Sequence, residues 1–185
     1  MQKDIQQLAE SISATLKLMR NVDAGTINRD DFNIYEIEPC IWNVLNYYPF
    51  AAGEKELVHF DSSQNFSFLG HHVLFYRILF NLMNNALQQI TKNKRGEIFI
   101  STEEDEQYNI LRFRDTAGGA APEIVKHLFE GFKTTKKDGN GVGLAFCKIT
   151  MHSFKGDITC HSVEGDYIEF VLSFPKIANE TQQLI

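Results

Sequence analysis

Asn81 and Asn85 stand four residues apart in a long apolar run, so on a helix both amides leave the same face. Polar amides on such a helix need partners. Each can cap a neighbouring loop, or one side-chain oxygen can ligate a hard cation such as Mg²⁺, which accepts amide oxygens beside phosphates and water. Asp115 closes an alternating run and precedes Thr-Ala-Gly-Gly, where on its own it reads as a turn carboxylate at a strand end. Gly139, Gly141 and Gly143 in GNGVGL let the backbone come close to an anion, while the helix that follows aims free N–H groups at it. Alone, that string is more often an ordinary flexible turn. It lacks the closing Gly-Lys-Ser/Thr of a P-loop, and no simple βαβ unit surrounds it as a dinucleotide turn requires. Just upstream lies the basic stretch KTTKK with Lys133, Lys136 and Lys137, which reads either as a solvated loop or as phosphate partners.

Several elements must position these residues. Ile5, Leu8, Ile12, Leu16 and Met19 form one stripe of an N-terminal helix, which either packs on its own domain or is half of a hairpin or coiled coil. The polar stretch NVDAGTINRDD then reads as a linker. The alternation FNIYEIE predicts a strand from Phe32 to Glu38, and Pro39 a helix start running through Ile41, Trp42, Leu45 and Tyr48. LVHFD and NFSFLG predict two short strands, followed by a long central helix from about His71 to Asn93, apolar on most sides. GEIFISTEED with YNILRFRD, and GDITCHSV with DYIEFVLSFP, predict two antiparallel hairpins. Between the hairpins, six of the twelve glycines fall from Gly118 to Gly143, and VGLAFCKITMHSF has helical spacing. The order fits a two-layer α/β sandwich with a mixed, largely antiparallel sheet better than a parallel doubly wound fold.

Composition sets the outer bounds. A chain of 185 residues with 43% apolar, 12% aromatic and 23% charged residues holds one full core and a modest appendage. Net charge is −6, from 18 Lys plus Arg against 24 Asp plus Glu, which opposes nonspecific attraction to nucleic acid or anionic membrane. Cys40, Cys147 and Cys160 are an odd number without close spacing, so neither a disulfide framework nor a zinc knuckle is suggested. The best candidate membrane run, VLFYRILFNLM, is interrupted by Arg77, and the N-terminus lacks the order of a secretory signal.

Taken together, NLMNNA, DTAGG, LFEGFKTTK and GNGVGL resemble the N box, first glycine box, F box and second glycine box of the ATP-binding catalytic domain of sensor histidine kinases. That domain is part of the superfamily of gyrase, Hsp90, histidine kinase and MutL ATPases, with the Bergerat-type sandwich. The resemblance covers roughly Phe32 to Pro175. It implies residues 1–25 as the second helix of a dimerisation and phosphoacceptor hairpin, 26–31 as linker, 32–176 as the ATP-binding domain and 177–185 as a polar tail. Asn85 would hold Mg²⁺ with Asn81 supporting it, and Asp115 would accept a hydrogen bond from the exocyclic amine of adenine, with Gly119 beside the base. Phe129 and Phe132 would anchor a lid carrying Thr135 and Lys136, while Gly139, Gly141, Gly143 and Leu144 would form the phosphate-facing turn.

The chemistry so implied is ATP-dependent transfer of the γ-phosphoryl group to a protein histidine. It needs positioning and charge neutralisation more than covalent help. Hydrolytic members use a glutamate where this sequence has Asn81, and an amide cannot act as that base. Expected partners are ATP, Mg²⁺, a response regulator or receiver domain, the phosphoacceptor helix of its own kinase and a second copy through the apolar stripe. Nucleic acid and direct membrane contact are not expected. The expected location is cytoplasmic, as part of a bacterial sensor.

The chain departs from the family pattern at Ala117, where the first glycine of the box is usual, and at Gln88, where Lys or Arg is common. If position 117 needs φ > 0, alanine there costs roughly 1 kcal/mol. The lid from Lys133 to Asp138 is short. None of His59, His71, His72, His127, His152 and His161 lies in the family's acceptor context, so the chain alone is not expected to phosphorylate itself. Two other readings stay open: a pseudokinase-like scaffold favoured by Ala117, and a stand-alone kinase or ATPase of the superfamily.

Overall fold

The computed structural model describes residues 31–130 and 143–177. The chain divides into two units, Met1–Phe32 and Asn33–Ile185, and the fold below belongs to the second. The proposed N-terminal helix and the polar tail past Ile177 lie outside the described residues.

Strand β1 is Asn33–Glu36, shorter than the alternation predicts, because helix α1, Ile37–Tyr47, begins two residues before Pro39. The first free N–H groups of that helix find acceptors across the chain: Ile37 N donates to Phe66 O at 2.9 Å and Glu38 N to Asn65 Oδ1 at 3.1 Å. Pro39 therefore falls at the third helical position, where its missing N–H is one that a helix start leaves unpaired anyway. Ile37, Cys40, Ile41, Val44 and Leu45 form the buried stripe. The helix stops at Tyr47, since Tyr48 precedes Pro49 and is extended, with ψ 131°.

The next two strands form as expected but do not pair with each other. β2, Val58–Asp61, runs parallel to β4, Ile98–Glu104, whereas β3, Ser67–Gly70, pairs antiparallel with β1 from Asn33 opposite Gly70 to Glu36 opposite Ser67. Two buried polar side chains of the large sheet hold β3 and the loop that leads into it. Thr102 Oγ1 donates to Gln64 O, and Asn109 Nδ2 donates to Ser67 O at 3.4 Å. Phe68 adds an apolar link, its ring lying 5.0 Å from that of Phe75 and 5.1 Å from that of Phe174.

Helix α2, His72–Asn93, buries Leu74, Phe75, Ile78, Leu79, Leu82, Met83, Ala86, Leu87 and Ile90. That is one broad stripe, and Asn84 and Gln88 on the other side are exposed, so the helix is less evenly apolar than its composition suggests. β4 and β5, Tyr108–Asp115, form the first hairpin, whose turn is closed by Asp105 Oδ1 accepting from Gln107 N and Tyr108 N. After the single turn α3, Pro122–Val125, come α4, Gly143–Ser153, and the second hairpin, β6, Asp157–Val163, with β7, Tyr167–Pro175.

The large sheet has the order β2-β4-β5-β7-β6, antiparallel except for β2 with β4. Alternate residues of its central strands, such as Ile98, Ile100, Leu111, Phe113, Phe170 and Leu172, are buried in a core shared with α2 and α4. The opposite face carries a charged row in which Arg112 pairs with Glu103 and Glu169, and Arg114 with Glu169. This is the predicted two-layer α/β sandwich with a mixed, largely antiparallel sheet.

Candidate functional site

Two of the sequence-predicted residues, Asn81 and Gly143, meet where α2 packs on α4. Asn81 Nδ2 donates to Gly143 O at 3.3 Å and lies 3.9 Å from Cys147 Sγ, so the long helix is joined to the first turn of α4. A Cβ on Gly143 would stand 3.3 Å from Asn81 Oδ1, which leaves little room for any other residue there. Cys147 is fully buried; burial pushes its thiol up to about 12, only partly opposed by Asn81. It packs as a neutral group. Asn85 lies one turn on, half-buried, and Leu144 is half-buried at the start of α4.

Asp115, the last residue of β5, is only 4% exposed, and its Oδ1 accepts from Ala117 N at 3.1 Å. The turn that follows does not carry the strain considered for Ala117. Among the described residues only Lys94 and Lys155 have positive φ without being glycine, whereas Gly118 and Gly119 take φ +130° and +62°. The left-handed backbone falls on the two glycines that remain, and Ala117 buries its methyl group with 1% exposure. The ground for the scaffold reading is thereby removed. Gly119 could be nothing else: a Cβ there would stand 2.2 Å from Val163 O and 2.6 Å from Tyr167 O.

Other residues that the sequence did not single out hold this turn. Asn93 Nδ2 donates to Ala117 O at 2.6 Å, Gly118 N donates to Asp166 O at 3.1 Å, and Gly165 N donates to Gly118 O at 2.7 Å. Arg95 Nη2 caps the set by donating to Gly165 O at 2.8 Å. The signals were weak ones, an Asn-Lys-Arg-Gly helix end and a Glu-Gly-Asp hairpin turn. Cys160, on the strand beside β7, senses the same place: burial first, then the charges of Asp115 and Glu169, push its thiol up to about 12.

Phe129 is half-buried, its ring edge-on to Phe170 at 6.4 Å and 5.4 Å from Lys148 Nζ. Lys148 is fixed by Asp157 Oδ1 at 2.5 Å and Ile158 O at 3.0 Å. Phe129 is thus held by a ring and a cation shortly before the segment expected to be the lid. Thr135, Lys136, Gly139 and Gly141, together with Phe132, lie outside the described residues. On the exposed side of α2, Tyr48 Oη donates to Asn84 Oδ1 at 2.6 Å beside a cavity of about 340 Å³ that also touches Gln88 and Lys92.

Among the described residues no group of three or more His, Cys, Asp and Glu side chains is placed to cage a metal, and no helix is long and apolar enough to cross a membrane. The profile described as histidine kinase-, DNA gyrase B- and HSP90-like ATPase matches residues 70–177, more than half of the chain. The CAI-1 autoinducer sensor kinase/phosphatase CqsS of Vibrio cholerae is 32% identical over 166 residues, covering 89% of this chain and 24% of that protein. The autoinducer 1 sensor kinase/phosphatase LuxN of Vibrio campbellii is 30% identical over 165 residues, 88% of this chain and 19% of that protein. The chain thus spans about a quarter or less of these relatives. Among solved structures, the catalytic domain of histidine kinase ThkA superposes with a TM-score of 0.66 at 19% identity, covering 78% of this chain and 95% of that one, which shows a shared fold.

Proposed function

Because the chain belongs to the histidine kinase-, DNA gyrase B- and HSP90-like ATPase family, we propose that it is the catalytic part of a sensor histidine kinase, binding Mg-ATP and passing the γ-phosphoryl group to a histidine outside this sequence. The observation that carries this reading is Asp115, a nearly buried carboxylate at a strand end, its loop held by two glycines of positive φ. A carboxylate accepts from the exocyclic amine of adenine, whereas guanine placed in the same way presents an acceptor oxygen at that position, so one such contact favours adenine. Gly119 lies beside the base in this reading, and Phe129 roots a lid that brings Thr135 and Lys136 to the phosphates. In this reading Gly139, Gly141, Gly143 and Leu144 form the phosphate-facing turn, and the start of α4 at Gly143 offers free helical N–H groups that favour an anion.

The donor set suits Mg²⁺ held mainly by ATP: a neutral amide oxygen from Asn85, supported by Asn81, beside phosphates and water. When bound, the ion neutralises charge on the phosphates and so eases their transfer. Asn81 holds the start of α4 and offers no proton acceptor of its own to activate water. An attacking imidazole nitrogen brings its own lone pair, so transfer to a histidine asks less of this site than hydrolysis does. The acceptor helix, a response regulator and a cytoplasmic location on a bacterial sensor follow from the same reading, as does pairing of two copies through the N-terminal helix. Incorporation of acid-labile phosphate into this chain alone is not expected.

Titration with a fluorescent ATP analogue, with and without Mg²⁺, tests the proposal. Binding should weaken at least about tenfold in Asp115→Asn, the scale of one buried charged hydrogen bond. Asn85→Ala should remove most of the Mg²⁺ dependence. Failure of the unmodified chain to bind ATP would refute the reading.

A further inference from the structure

We propose that Ser162 is a positioning residue for base recognition, holding the far end of the turn that carries Asp115; this rests on the reading of Asp115 as the adenine contact. Ala120 N donates to Ser162 Oγ at 2.8 Å, and Ser162 Oγ donates to Tyr167 O at 2.9 Å. The single hydroxyl therefore pins the end of the Asp115–Ala120 segment to the β6–β7 hairpin. Its one proton is committed to Tyr167 O, so it has none to offer a base.

Pairing registers place Asp115 opposite Ile168, and Ile168 opposite Ser162, in one row across β5, β7 and β6. With neighbouring strands about 4.8 Å apart, Ser162 stands roughly 10 Å from Asp115, too far to bond with its carboxylate. The direct side-chain route to Asp115 runs through Ala120 and the intervening turn. That turn is tightly confined: an added Cβ on Gly119 would stand 2.9 Å from Ser162 Oγ and closer still to two carbonyls of the same hairpin. Asn93 and the Gly118 to Gly165 bond hold its middle, and Asp115 Oδ1 is itself engaged with Ala117 N. Freeing the Ala120 end lets the turn shift, and the shift passes through Ala117 N to the carboxylate. The expected consequence is loss of discrimination between adenine and guanine, more than general loss of nucleotide affinity.

The test is competition of ATP and of GTP against a fluorescent ATP analogue, with Mg²⁺, on the full chain and its variants. In Ser162→Ala, ATP should bind up to about tenfold more weakly, as for one lost part-buried hydrogen-bonded group, with GTP little changed, so that the ATP-to-GTP preference falls. Ser162→Thr, which keeps the hydroxyl, should restore most of the preference. If Ser162→Ala does not fold, Ser162→Cys keeps the volume, weakens both bonds and carries the same comparison. An unchanged preference, or equal weakening of both nucleotides, overturns the proposal. If Asp115→Asn keeps the full preference for ATP, the adenine assignment itself fails; if it loses the preference while the Ser162 variants keep it, only the positioning role fails.

Discussion

Asn93 Nδ2 donates to the carbonyl of Ala117 at 2.6 Å, which fastens the last residue of the long helix to the turn after Asp115. Ala117 is held there with its methyl buried and without positive φ. Restoring the family's usual glycine relieves no strain. Ala117→Gly should instead destabilise the chain by about 1–2 kcal/mol, from greater freedom of the unfolded backbone and one lost buried methyl group. Urea unfolding checks the stability, and ATP titration should show no gain in affinity.

At Gly119 the opposite change, one methyl group added instead of removed, is destabilising too. Gly119→Ala adds a methyl group 2.2 Å from Val163 O at a φ of +62°. Left-handed strain and overpacking together should cost about 2–5 kcal/mol. A clearly lowered midpoint in thermal unfolding, with loss of ATP binding at temperatures where the variant is still folded, is the expected result. Native stability in this variant would mean that the turn and the β6–β7 hairpin can move apart freely.

The pattern of what was legible follows from where each constraint originates. Both hairpins, α2 and α4 were readable because alternation and helical spacing are local. The partners of β2 and β3 were not, since nothing within LVHFD or NFSFLG distinguishes a parallel neighbour at Ile98 from an antiparallel one at Asn33. The early start of α1 depends on acceptors at Asn65 and Phe66, nearly thirty residues away. Within the site, Asp115, Gly119 and Asn81 could be named because each falls in a string, DTAGG or NLMNNA, that resembles a family motif. Asn93 and Ser162 could not, because each bonds a main-chain group, which leaves no trace in the partner's side chain.

Thiol chemistry offers a separate view of the Asp115 region. Cys40 and Cys147 are buried, whereas Cys160 is only partly so. With its thiol pushed up to about 12, burial first and the nearby carboxylates second, Cys160 at pH 8 has a thiolate fraction lower than that of a free cysteine by on the order of 10³. Iodoacetamide should therefore label Cys160 slowly, yet ahead of the other two, as peptide mapping can show. If adenine rests against Asp115, saturating Mg-ATP should slow this labelling several-fold; an unchanged rate would move the base away from this strand.

Tyr48 provides a pH signature on the other side of α2. Its hydroxyl is pushed from 10 up to about 12, by burial first and by the charge of Glu54 second, and it donates to Asn84 Oδ1 at 2.6 Å. A pKa raised by folding means that the native state holds the proton more tightly. The stabilisation is complete below pH 10, the unfolded value, declines as pH rises, and is lost once pH passes about 12. Tyr48→Phe should lose about 1 kcal/mol at pH 7 with the hydrogen bond. Between pH 10 and 12 its stability should fall less steeply than that of the unmodified chain, the slope that remains coming from the other groups that burial pushes up, Cys147 and Cys160, both to about 12, together with Cys40 and Tyr76. Urea unfolding at a series of pH values measures both slopes, and parallel curves would show that Tyr48 keeps an ordinary phenol pKa in the native state.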